Sequence, residues 1–142
     1  MFIHNIDPTL FTIGPLEIRY YGLVYALGFL IAYWFLRRYR DDIGLKEKDI
    51  DTLLVYLMVG MLAGARLFEA IFWQPGYYLS DPLRIFYIWE GGMAFHGGLV
   101  GMALSAYLFS RKKKVNFFRI ADLLSIPGIL FLAIGRLANF VN

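Results

Sequence analysis

The sequence predicts an all-α polytopic membrane protein with about four transmembrane helices, a short interfacial helix before the third, and both termini outside. Three observations carry this expectation. Of 142 residues, 59% are hydrophobic and 18% aromatic while only 18% are charged, a composition that suits a bilayer better than an ordinary soluble fold. Apolar runs recur at Tyr20 to Leu36, Thr52 to Trp73, Gly91 to Ser110 and, shorter, Leu123 to Gly135; a helical crossing needs about 20 mainly apolar residues. Basic residues alternate by side. Arg37, Arg38, Arg40, Lys46 and Lys48 lie between the first two runs, and Arg111, Lys112, Lys113, Lys114 and Arg119 between the last two. Only Arg19 and Arg84 fall on the other side, ten against two, so the basic loops are assigned to the cytoplasm.

Each element has its own local reason. The first nineteen residues hold Asp7, Pro8, Pro15 and Glu17 and no basic leader, and the first run ends on Arg37 instead of a small-residue cleavage site. It is therefore expected to be a retained helix, not a removed signal peptide. Asp41 to Lys48 reads as a polar cytoplasmic turn, with Gly44 ahead of a second helix that starts at Asp49 to Asp51. The Thr52 to Trp73 run spans well only if Arg66 and Glu69 are sheltered. Gln74, Pro75, Gly76, Tyr77, Tyr78 and Ser80 form an outside loop. Asp81 as N-cap and Pro82 in the first turn then predict a short helix from Leu83 to Trp89, whose aromatics suit the interface. Residues 1–142 read as a single integral membrane domain.

The net charge of +3 comes from the basic loops, which suit topology and anionic membrane lipid, so no nucleic acid is needed to explain it. With no cysteine, the chain has no disulfide, no thiolate metal site and no cysteine nucleophile of its own. Any thiol chemistry uses a substrate's thiol. No metal and no cofactor are implied.

Candidate functional residues follow from depth. Counting from the cytoplasmic charges, Tyr21 is sixteen residues from Arg37, His96 fifteen from Arg111, Arg66 fifteen from Asp51 and Arg136 fourteen from Asp122. At the helical rise all four lie roughly 21 to 24 Å above the cytoplasmic floor of a core about 30 Å thick. Ionisable groups in hydrocarbon are costly and mark a cavity or substrate path. The shared layer is where an outer-leaflet phospholipid places its glycerol and phosphate. Gly91-Gly92 before His96 and Gly97-Gly98 after it weaken regular helix and let backbone approach a ligand, so His96 is expected to face a cavity.

Plainer readings stand beside these. A lone intramembrane histidine is often a helix-to-helix donor, Tyr21 is an ordinary interfacial aromatic, and Arg136 can snorkel to the head groups. Arg66 and Glu69, three apart, can neutralise each other, and Gly60 with Gly64 forms a small-xxx-small packing pattern. A channel or transporter component, or a noncatalytic lipid-binding subunit, remains an alternative function on these residues alone.

Two segments are more specific. Trp89-Glu90-Gly91-Gly92-Met93-Ala94-Phe95-His96-Gly97-Gly98-Leu99 and Gly135-Arg136-Leu137-Ala138-Asn139-Phe140-Val141-Asn142 resemble the phosphatidylglycerol:prolipoprotein diacylglyceryl transferase family. Ile13-Gly14-Pro15, Ile18-Arg19-Tyr20-Tyr21-Gly22-Leu23 and Gly64-Ala65-Arg66 are similar to it too, in the same order along the chain. The resemblance covers the N-terminal half of a typical member; the C-terminal half is absent here, and a C-terminal-half subunit is an expected partner.

The resemblance implies transfer of diacylglyceryl from phosphatidylglycerol to the thiol of a lipobox cysteine in a prolipoprotein, the first step of lipoprotein maturation, at the outer face of the cytoplasmic membrane. Phosphatidylglycerol, a prolipoprotein lipobox peptide and membrane lipid are then the partners. His96, Tyr21 and Arg136 are the implied catalytic residues, with Arg136, Asn139, Arg66, Gly97 and Gly98 binding phosphatidylglycerol. His96 is placed to accept the thiol proton, Arg136 to grip phosphate oxygens, Asn139 to bridge head-group hydroxyls or orient Arg136, and Tyr21 to hydrogen-bond the head group. Glu69 departs from the family pattern, where an aromatic is expected.

Overall fold

The computed structural model describes the backbone of residues 9–13, 16–88 and 91–141, and the side chains of residues 26–88 and 91–136. The architecture is helical, as the composition demanded. It begins with a feature that periodicity did not announce: β1 (Thr9–Ile13) and β2 (Leu16–Arg19) pair antiparallel, Ile13 facing Leu16 and Phe11 facing Ile18, with a register irregularity between Thr9 and Phe11. Each strand is too short for hydropathy to separate it from a loop.

Chain contacts divide the molecule into two compact units, residues 41–121 and residues 1–40 with 122–142. The latter contains the hairpin, α1 (Tyr20–Arg38) and most of α5 (Phe117–Val141). Arg37 and Arg38 occupy the last turn of α1, where cations offset the exposed carbonyl end of the helix. Arg37 Nη1 donates to the Tyr33 hydroxyl at 3.0 Å, and Arg40 Nη1 caps the Arg37 carbonyl at 3.1 Å. Gly28 of α1 sits against the ring of Phe131 of α5, which occupies the space a Cβ would need.

In the unit of residues 41–121, a short 3-10 turn (Arg40–Ile43) leads through Gly44, at φ +74°, into α2 (Glu47–Phe68). The helix starts two residues before the expected Asp49, because the Asp49 carboxylate accepts the Lys46 backbone N–H at 3.0 Å and closes the first turn. Beyond α2 a π-turn (Glu69–Trp73) precedes α3 (Pro75–Ser80). Residues 75–80 were expected to be loop; Pro75 at the first helical position lacks only an N–H that the helix start leaves unbonded anyway. The expected helix from Leu83 to Trp89 is instead a 3-10 turn over Pro82–Phe86, and Trp89 lies outside the described residues. Asp81 does not cap it with its side chain. Its carboxylate turns to Arg84 Nε at 3.2 Å, which removes the cap that a full α-helix there would have used.

After Gly91 and Gly92, α4 (Phe95–Lys113) returns along α2. Lys114 ends it in the left-handed region at φ 57°, and Val115 N–H reaches the Ser110 carbonyl at 3.0 Å. Asn116 then starts α5 by accepting the Phe118 N–H at 2.8 Å.

The α2–α4 contact is built from glycines. A Cβ on Gly60 or Gly64 would strike the Gly101 and Gly97 carbonyls, and one on Gly97 or Gly101 would strike those of Gly64 and Gly60. The small-xxx-small reading of Gly60 and Gly64 thus meets an identical spacing on the partner helix, letting the two backbones touch. Toward the start of α2 and the end of α4 the contact widens to a side-chain core of Ile50, Leu53, Leu57, Phe109 and Ile120, all buried, with Tyr56 packed edge-on against Phe109 at 5.6 Å. Large apolar side chains face outward instead: Val55, Val59, Leu67, Leu104 and Leu108 are each about half exposed or more. Among the described residues, two helical stretches, Glu47–Trp73 and Phe117–Arg136, are long and apolar enough to cross a membrane, with mean hydropathy 1.7 and 1.9.

Candidate functional site

Arg66, in the last turn of α2, is only 3% exposed. A guanidinium has five N–H donors in a planar fork, and each meets a backbone carbonyl of the segment that leads to α4. Nε donates to Ile85 O at 3.0 Å. Nη2 donates to Arg84 O at 2.7 Å and Tyr87 O at 2.8 Å; Nη1 donates to Gly92 O at 3.0 Å and also to Gly91 O. Tyr78 covers the group, its ring centroid 5.1 Å from the guanidinium carbon. Burying an unpaired charge is expensive; five carbonyl dipoles and an aromatic face offset that cost without a carboxylate.

Two expectations change as a result. Arg66 and Glu69 form no ion pair among the described residues, because every donor of Arg66 is committed elsewhere and Glu69 accepts from Gln74 Nε2 at 3.2 Å. For the same reason Arg66 has no donor left for a lipid phosphate in this geometry.

Gly91 and Gly92 stand at φ +82° and +72°, so the break in regular backbone expected before His96 is present, in a conformation that side chains rarely adopt. Gly97 and Gly98 correct the parallel expectation for the other side. They lie inside regular α4 and are buried, Gly97 against Gly64 and Phe68, Gly98 against Met61 and Ala65. The missing side chain of Gly97 admits the α2 backbone, while a Cβ on Gly98 would make only ordinary contacts with Met61 and Ala65.

Between these two glycine pairs, Ala94 donates its N–H to the Ala65 carbonyl at 3.1 Å and is the residue from which α4 starts. His96, two residues later, is exposed, its ring edge-on to Phe95 at 5.6 Å, and among the described residues it has no hydrogen-bond partner. An open hollow adjoins the arginine, lined by Arg66, Gln74, Tyr77, Tyr78, Gly91 and Gly92. His96 does not line this hollow.

Arg136 is on α5, in the other unit, and is exposed without a hydrogen-bond or ion-pair partner among the described residues. Asn139 follows three positions later on the same helix and Tyr21 is in the first turn of α1; both side chains lie outside the described residues. Among the described residues no cluster of His, Asp or Glu suited to a metal is found. The arginine cage and Tyr78 were missed from sequence. The available signal was an arginine in an apolar helix combined with a Gly-Gly pair, the combination that lets several carbonyls turn toward one cation.

Glycine-lined helix contacts inside and large apolar side chains outside are features of a helical protein built for a membrane. The family described as prolipoprotein diacylglyceryl transferase matches residues 8–142. The chain belongs to that family. It is 48% identical over 142 residues to the phosphatidylglycerol–prolipoprotein diacylglyceryl transferase of Bordetella avium, an alignment covering 97% of this chain and 53% of the relative. The protein of that name from Geobacter sulfurreducens is 43% identical over 140 residues, covering 97% and 54%, and that from Dechloromonas aromatica 41% over 146 residues, covering 100% and 55%. The chain thus spans about half the length of the curated relatives it matches.

Proposed function

We propose that this chain takes part in the transfer of diacylglyceryl from phosphatidylglycerol to the lipobox cysteine thiol of a prolipoprotein. The observation that carries the reading is the family match over residues 8–142, which includes both the segment around His96 and the segment around Arg136. In the reaction the cysteine sulfur attacks the glyceryl carbon that bears the phosphate. A C–S bond forms, the C–O bond breaks, and glycerol phosphate departs with the electron pair. His96 takes the thiol proton as general base, and its exposed position at the start of α4 supports access by a peptide thiol. Arg136 holds the departing phosphate; a guanidinium stays charged and binds paired oxygens. Asn139 and Tyr21 hydrogen-bond the head group.

The reading includes a topology: four crossings of the cytoplasmic membrane, both ends outside, with the reactive layer toward the outer leaflet. It is supported by the helices α1, α2, α4 and α5 falling on the four apolar runs and by the ten-to-two division of basic residues. Because the chain has no cysteine, single cysteines at Lys48, Gly76 and Lys112 report sidedness cleanly. Labelling by an impermeant maleimide added outside is expected at position 76 alone.

The activity is tested by placing the chain in phosphatidylglycerol vesicles with a lipobox peptide, with and without a polypeptide corresponding to the remaining half of the relatives, and weighing the peptide by mass spectrometry. A diacylglyceryl thioether in either arm supports the reading. Its absence from both overturns it.

A further inference from the structure

The cage around Arg66 joins the helix that carries no reacting group to the segment that ends at His96. Five backbone carbonyls, from Arg84, Ile85, Tyr87, Gly91 and Gly92, converge on one guanidinium. Carbonyl dipoles aimed at a single point repel one another unless a cation sits there, and two of the five belong to glycines in the left-handed region, which have the greatest freedom to leave it. The neighbouring residues of α2 continue the fastening: Ala65 O receives the Ala94 N–H at 3.1 Å, and Gly64 with Phe68 closes over Gly97. One stretch of α2, from Gly64 to Phe68, therefore holds the chain on both sides of His96.

We propose that Arg66 is a positioning residue for His96: it neutralises and orders the carbonyls of residues 84–92 so that the imidazole at the start of α4 is presented in one place. The inference rests on the transferase reading only for the consequence in turnover; the ordering itself is independent of it. Lysine cannot substitute, because an ammonium has three donors in a tetrahedral arrangement and cannot reach five carbonyls in the plane of a fork.

The test uses the chain in phosphatidylglycerol nanodiscs, with Arg66→Lys and Gly92→Ala as separate variants, the second disturbing the cage from its other side. Backbone amides of residues 85–94 are followed by hydrogen exchange, and the imidazole nitrogens by NMR, with His4, the other histidine of the chain, as internal reference. Both variants are expected to speed exchange in that segment by about tenfold or more and to shift or broaden the His96 resonances while those of His4 stay put. Where the lipidation assay gives product, kcat is expected to fall about a hundredfold with KM for phosphatidylglycerol nearly unchanged. Unchanged exchange and unchanged His96 resonances overturn the proposal. So does a rise in KM with exchange intact, which would make Arg66 a phosphate ligand. If Arg66→Lys does not fold, Gly92→Ala decides by the same readings. If the unsubstituted chain never makes adduct, the transferase reading fails while the exchange and resonance results still judge the role of Arg66.

Discussion

Ala94 hands its backbone N–H to the carbonyl of Ala65 at 3.1 Å, so the start of α4 is tied to α2 at the residue immediately before the buried arginine. The bond is a main-chain one, independent of the side chain at either position. It fixes where α4 starts, and with it the height of His96 along α2. Arg66 then orders the stretch that arrives at Ala94, and Gly97 permits the close approach that follows.

Substitution in the glycine contact is expected to cost stability sharply. Gly101→Ala puts a methyl into the Gly60 carbonyl, backbone against backbone with no flexible atom to yield, and should destabilise by about 1–3 kcal/mol. Gly76→Ala, where nothing lies within 4 Å, should stay within about 0.5 kcal/mol of the unsubstituted chain. Unfolding in mixed micelles compares the two. Equal behaviour would mean α2 and α4 do not pack as described.

The two glycines before α4 should respond differently to alanine. Both have positive φ, so each substitution costs about 1–2 kcal/mol in backbone strain. At Gly92 a Cβ also meets Arg66 Nη1 and Glu69 Cγ at 3.3 Å, whereas at Gly91 the space is open. Gly92→Ala is expected to be the more damaging in the same unfolding measurement.

The lipidation assay should lose product in two distinct ways. His96→Gln removes the proposed proton acceptor and is expected to lower turnover about 10²- to 10⁴-fold. Arg136→Ala removes the charge proposed to receive the departing phosphate and should cost about 10²- to 10³-fold. Normal adduct formation by His96→Gln would favour a noncatalytic lipid-binding role over catalysis by this residue.

Lys113 Nζ lies 2.5 Å from Asp49 Oδ1, linking the last turn of α4 to the first turn of α2. The lysine is 36% exposed, so solvent screens the pair. Lys113→Met should cost no more than about 1 kcal/mol, and the difference should shrink in high salt. A larger, salt-insensitive loss would place the pair in a drier setting than its exposure indicates.

Much of the fold was legible because long apolar runs bounded by charge admit little besides helices. All four runs fall on α1, α2, α4 and α5, and the Gly60 and Gly64 spacing already indicated a packing face. Short-range choices were harder to read. Residues 75–80 form a helix whose only announced cue was Pro75, and Asp81 spends its carboxylate on Arg84 instead of a cap. Such elements hang on one or two hydrogen bonds of about 1 kcal/mol each, too little for pattern to decide between them.

The sequence by itself determined that the chain is helical and apolar-surfaced, and the motifs around His96 and Arg136 already marked its family. Tertiary structure alone decided what the charged and glycine residues among them do. Arg66 looked like a phosphate ligand or half of an ion pair; its partners turned out to be carbonyls 18 to 26 positions away, which every residue carries and no pattern of side chains can reveal. Gly97 looked like an opening for a ligand and lies closed against the α2 backbone at Gly64. In both cases the deciding partner is backbone, and backbone is placed only when the helices meet.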